Sequence, residues 1–262
     1  MFSVIEIVDN KRGKLFFPFI RKPPELLKVA VKDGAPYFKI KVQKYKKIPW
    51  DDILYMAGRC ASNVIVDEKI ELPFDLNVRR FVPEILPMKI LFNTVHDLLD
   101  FLNIKKAIIG INDPDAKYCD FIALMVRYCS EIRVLTYNNQ KYEDVCLQIF
   151  DEYGLSVILT EVTDSLKKCD YIISEKSTDE SITFSLYGKD DSRMCAEVIN
   201  LPPVYSQKLP EGVGELTFAS ALYELCGVKR LGKLRYSGIF VDGKYCFINE
   251  IENNSKVLFG TV

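Results

Sequence analysis

The chain has 262 residues, is 48% hydrophobic and carries a net charge of −1. It can therefore build a proper core, and a general nucleic-acid binder, which would show a basic excess, is not expected. The start of the chain lacks the basic-then-apolar pattern of a signal peptide, and no apolar run approaches bilayer-spanning length, so a cytoplasmic protein with no membrane partner is expected.

Up to residue 95 the pattern is mostly strand and turn. "FSVIEIVDNKRGKLFFPFI" reads as two apolar runs around an Asn-Lys-Arg-Gly turn, a hairpin signal. "LLKVAVKDGAPYFKIKVQKY" repeats it, with Asp33-Gly34 as the turn. Its lysine-rich end, Lys39 to Lys47, reads as a guarded strand edge. "PWDDILYMAGRCA" predicts a helix with Trp50, Ile53, Leu54 and Ala57 on one face. "SNVIVDEKIELP" suggests another strand pair, and the proline-punctuated "VRRFVPEILPMKILFN" reads as a wrapping connection.

From there strands and helices alternate. "TVHDLLDFLN" predicts a short helix, with His96 near its start. "KKAIIGIN" predicts a strand and "PDAKYCDFIALMVRYCS" a helix. "EIRVLTYN" follows as a strand, and "KYEDVCLQIFDEYG" as a helix stopped by Gly154. "LSVILTEV", a short helix over "TDSLKKC", and "DYIIS" continue the alternation. "SRMCAEVINLPPV" predicts a strand ending near Asn200. "GELTFASALYELCG" predicts a helix ended by Gly227, and "SGIFVDGKYCFINEI" a hairpin about Asp242-Gly243.

Strands joined by such helices imply parallel pairing through right-handed crossovers. The fold class is α/β: a Rossmann-like, doubly wound parallel sheet with a β-rich N-terminal part and a C-terminal hairpin. The expected division is 1–95 as the β-rich part, 96–230 as the Rossmann-like domain, and 231–262 as a hairpin that rejoins the N-terminal part.

In this fold ligands sit beyond the carboxyl ends of the strands, at the switch point. That nominates Gly110, Asn112 and Asp113 after the first strand of the domain, Asn138 after the second, Ser174 after the fourth and Asn200 after the fifth. A dinucleotide fingerprint carries three glycines in the first turn. Here Gly110 stands alone, followed by Asp113, a natural N-cap, and Pro114, a natural first helical residue. Asp113 and Asp115 place negative charge where a pyrophosphate would need bare N–H groups. Standard NAD(P) binding is therefore not expected. The eight cysteines form no C-x-x-C pair, and no metal site is assigned.

The strand-helix order from about 104 to 227 resembles the NAD(P)-binding half of the shikimate dehydrogenase and methylenetetrahydrofolate dehydrogenase group. "DEYGLSVILTEVTDSLKKCDYIIS" is similar to their short helix before a strand that begins with Asp. "LPEGVGELTFASALYEL" is similar to the Gly-Val-Gly turn of the folate enzymes. The resemblance implies a cofactor-proximal role for Gly212 and Gly214. The Gly-rich first turn of that group is missing, and no Lys/Asp or Tyr/Lys catalytic arrangement stands out in the N-terminal part.

Three function classes follow. The leading one is a Rossmann-like protein with an altered nucleotide site, binding a small molecule or acting in assembly, with an oligomer allowed. The second is an NAD(P)-dependent oxidoreductase acting at an inter-domain cleft. The third is an interaction module without a ligand. The residues leave open whether the chain is an enzyme.

Overall fold

A computed structural model describes residues 1–8, 23–43, 47–178, 182–188 and 200–254. Its strands and helices run β1 (Ser3–Val8), β2 (Glu25–Val31), β3 (Gly34–Gln43), α1 (Trp50–Ala57), β4 (Val64–Val66), α2 (Leu86–Phe101), β5 (Ala107–Asn112) and β6 (Cys129–Leu135). They continue with α3 (Glu143–Tyr153), β7 (Val157–Thr160), β8 (Tyr171–Lys176), β9 (Ile182–Tyr187), α4 (Pro203–Ser206), α5 (Glu215–Cys226), β10 (Gly238–Val241), β11 (Lys244–Phe247) and α6 (Ile248–Asn253). 3-10 helices cover Cys119–Tyr128, where a full helix was expected, and Thr163–Lys168, where a short one was.

The chain divides into two compact units, Met1–Glu84 with Leu201–Gly232, and Ile85–Asn200 with Lys233–Val262. This differs from the division expected from chain order, because α5 belongs with the N-terminal strands.

The first unit holds a four-stranded sheet in the order β2-β3-β1-β4. The β2–β3 hairpin forms as expected, with Asp33 in the left-handed region at φ 62°. The expected first hairpin begins on β1, which pairs in parallel with β3 over Ser3–Val8 and with β4 over Ser3–Ile5. The second apolar run of that hairpin lies outside the described residues, as do Lys44 and Lys46. Of the suggested "SNVIVDEKIELP" strand pair only β4 forms. The turn after it is held by Arg80, which donates to the carbonyls of Val66 and Ile70 at 2.8 and 2.7 Å. One face of the sheet packs Ile5, Ile40 and Val64 against Ile53 and Ala57 of α1. On the other, Phe2 stacks on Tyr37 at 4.9 Å, and Phe218 of α5 meets both rings edge-on.

The second unit holds seven strands in the order β7-β6-β5-β8-β9-β10-β11. The first five are parallel. Numbered within the unit, the order is 3-2-1-4-5, the doubly wound nucleotide-fold arrangement. The unit is a Rossmann-like α/β sheet. Its central strands read as apolar runs because both faces are covered; Ile109, Ile111, Ile172 and Ile173 are fully buried. The fifth parallel strand is 182–187. The strand expected in "SRMCAEVINLPPV", ending near Asn200, falls on 192–199, outside the described residues.

The hairpin about Asp242-Gly243 forms, with both residues at positive φ as a primed turn requires. It extends this sheet through β10–β9 pairing and does not join the N-terminal strands. α2 is longer than the predicted 94–103 helix. It begins at Leu86, with Pro87 in the first turn where a missing N–H costs nothing. It ends beside Asn103, held at φ 53°. His96 is therefore mid-helix, its Nδ1 3.0 Å from Asp97 Oδ1. No helix among the described residues is long and apolar enough to cross a membrane.

Candidate functional site

At the switch point, between the carboxyl ends of β5 and β8, lies a cleft of about 240 Å³ lined by Asn112, Asp113, Tyr118, Ser174 and Glu175 among others. Strand alternation puts Ile108, Gly110 and Asn112 on one face of β5. Asn112 Nδ2 donates to Ser174 Oγ at 3.1 Å, across neighbouring strands in register. Ser174 is fully buried. Asn112 Oδ1 is buried with no hydrogen-bond partner among the described residues, so this amide holds an unused acceptor next to the cleft.

Asp113 is 1% exposed. Its carboxylate accepts the backbone N–H groups of Lys117 and Tyr118, both at 2.8 Å, and the Tyr142 hydroxyl at 2.6 Å. It does not cap an α-helix as expected. It closes a tight loop through Ala116, which sits at φ 52°, before the 3-10 helix at Cys119. Burial, the facing Asp113 charge and the hydrogen bond to it raise the Tyr142 phenol well above its ordinary range. The loop is also sewn to the end of β6, with Asp113 N–H donating to Leu135 O and Tyr137 N–H to Pro114 O. Asp115 is exposed and pairs with Lys117 at 3.7 Å.

Gly110 plays a different part from a phosphate-loop glycine. A Cβ there would lie 3.0 Å from Cys169 Sγ and 3.1 Å from Leu166 Cδ2. The space over this strand face is filled by the Thr163–Lys168 helix and Cys169, which cluster with Leu135 and Ile172.

The structure thus brings Asn112, Asp113 and Ser174 together around one cleft. It places Asn138 at the end of β6, where its N–H donates to Thr136 Oγ1 at 3.2 Å, as a turn residue does. Asn200 is exposed, at φ 55°. Gly212 and Gly214 lie in the first unit. A Cβ on Gly212 (φ 73°) would overlap the Asp67 carboxylate, and Gly214 faces Glu68 and Thr217. The Gly-Val-Gly turn is therefore built against the loop after β4. None of these four residues lines the cleft.

A larger hollow of about 710 Å³ lies between α2 and the C-terminal hairpin and helix, lined by Leu98, Asp97, Arg235, Phe247 and Ile248 among others. Sequence reasoning passed over it, because its wall joins segments some 140 residues apart. Its polar groups are engaged with one another. Arg235 Nε donates to Asp97 Oδ2 at 2.6 Å, and Tyr236 N–H to Thr94 Oγ1 at 3.0 Å. Burial alone would raise the Asp97 carboxyl, but the bonds from Arg235 and His96 bring it below its usual value.

No family model and no curated protein matches the chain. Among solved structures, the crystal structure of L-tryptophan dehydrogenase from Nostoc punctiforme matches with a TM-score of 0.31 and 11% identity. The match covers 72% of this chain and 59% of that one, so the chain spans less than two thirds of that protein's length. The fold assignment rests on the strand order itself.

Proposed function

We propose that this is a Rossmann-like protein that binds a small polar molecule, or serves in assembly, in place of standard dinucleotide chemistry. One observation carries the reading: the N–H groups of the loop after β5 are bonded to the protein's own Asp113 carboxylate. In a dinucleotide fold, groups at this position cradle the pyrophosphate. Here an internal anion takes that role. The filled space over Gly110 supports the same conclusion. What the cleft offers is the Asn112 amide acceptor beside the Ser174 hydroxyl, suited to a compact ligand that brings a hydrogen-bond donor.

Thermal shift with NAD, NADP, adenosine-type ligands and a panel of small polar metabolites tests this. NAD(P) is expected to leave Tm unchanged. A fitting ligand at a hundredfold excess over Kd should add about 2.7 kcal/mol, or roughly 5–10 °C for a chain of this size. That shift should vanish in Ser174→Val. Saturable stabilisation by NAD or NADP would overturn the reading in favour of the rival, an NAD(P)-dependent oxidoreductase, which the strand order favours.

A further inference from the structure

β7 closes one edge of the seven-stranded sheet. Its parallel ladder to β6 runs from Ile132 N–H to Ser156 O and from Thr136 N–H to Thr160 O, with Ile132, Arg133 and Val134 opposite Val157, Ile158 and Leu159. In such a ladder alternate residues bond inward. Ser156, Ile158 and Thr160 therefore face β6, and the N–H and C=O of Val157 and Leu159 point out past the sheet.

Soluble proteins guard such an edge with lysine, proline or a bulge. The strand Val-Ile-Leu-Thr has no lysine or proline, and its register with β6 is unbroken. The opposite edge is guarded, since β11 begins with Lys244 and runs directly into α6. Exposed apolar side chains lie on this strand and next to it in the sequence. Ile158 and Val162 are 42% and 61% exposed, and Phe150 and Tyr153, in the last turn of the helix leading into β7, are 57% and 59% exposed.

We infer that β7 is a self-association edge, and that its occupant is β7 of a second copy of this chain, antiparallel across a two-fold axis. Pairing Val157 with Leu159 of the second copy, and Leu159 with its Val157, uses every outward backbone group in four N–H···O bonds. The two Ile158 residues then meet at the axis as a non-hydrogen-bonded pair, where side chains approach most closely. In that register Glu161 lies opposite Leu155, so no carboxylate on the strand faces its own copy. The exposed parts of these four side chains set an upper bound on the order of 400 Å² that they can hide per copy, twice that across the axis. The paired backbones and rim bring the total near the ~1,200 Å² at which specific interfaces begin. The dimer is accordingly weak and concentration-dependent.

Sedimentation velocity on the full chain from 5 to 200 µM tests this, with about a twofold rise in mass expected across the range. Ile158→Lys, at a half-exposed site, should leave the circular dichroism spectrum and Tm unchanged and hold the protein monomeric. Ile158→Val should dimerise as the parent does. Oxidised Ile158→Cys should yield, by mass spectrometry, a peptide linked to its own copy through position 158. A monomer throughout the range would overturn the proposal. So would a dimer that survives Ile158→Lys, or linkage only through other cysteines.

Discussion

Asp113 shows how one buried carboxylate can decide what a loop does. Its three donors come from Lys117, Tyr118 and Tyr142. Tyr142→Phe removes one donor and leaves the charge buried, which should cost about 1–3 kcal/mol in urea unfolding. The sequence marked Asp113 as a helix cap; its carboxylate instead takes the N–H groups of Lys117 and Tyr118 inside the loop, because the helix starts only at Cys119. The partner 29 residues on was not legible, since no local pattern encodes a contact across two strands. Gly110 was legible only as a missing fingerprint. Its packing role depends on Leu166 and Cys169, and Gly110→Ala should overpack that contact by roughly 1–3 kcal/mol. Cys169→Ala should relieve most of the loss in a double-mutant cycle. The thiols of buried Cys169 and half-buried Cys129 set an alkaline limit. Burial pushes Cys169 up to about 11, against a smaller opposing pull from Arg133, and it pushes Cys129 up to about 12. A thiol raised in the folded state stabilises fully below its ordinary value near 9. That stability is lost as pH rises through 9 towards 11. Urea midpoints should therefore fall between pH 8.5 and 10.5, and alkylation of both thiols at pH 8 should be slow in the native protein.

At the level of elements, helix stops and tight hairpins were the most readable features, because each rests on a local backbone demand. Gly154 follows α3 at φ 65° and its N–H returns to Phe150 O at 2.8 Å. With open space around its Cα, Gly154→Ala should cost about 1 kcal/mol through backbone strain alone, seen as a lower Tm with an unchanged spectrum. The extent of α2 was misread because Pro87 looked like a break, although proline in a first turn starts helices as readily as it stops them. The segments 119–128 and 163–168 carry helical periodicity yet wind as 3-10 turns. Spacing of apolar residues does not separate a tight helix from an ordinary one.

For the whole molecule, parallel pairing followed from the alternation of elements, and the Rossmann-like sheet was legible in outline. The assignment of segments to units was not. Nothing local in "GELTFASALYELCG" says that it packs on Phe2 and Tyr37, or that the last hairpin belongs beside β9. Truncation after Gly232 should therefore do more than shorten the chain. It removes the strands that cover β9, the Leu234 carbonyl bonded to Asn93 Nδ2 and the Tyr236 hydroxyl bonded to Pro87. Loss of the cooperative unfolding transition and aggregation are the expected results, measured by calorimetry and light scattering.

The interleaving also sets a timetable for synthesis. The aromatic pair Phe2–Tyr37 gains its cover, Phe218, only after a further 181 residues have been made. At ~5–20 residues per second, that greasy face waits roughly 10–35 s outside the ribosome. The unit that holds this pair is therefore not complete until Gly232 has been made, after nearly all of the second unit's parallel sheet, and slowing translation should raise the chain's demand for chaperone shelter.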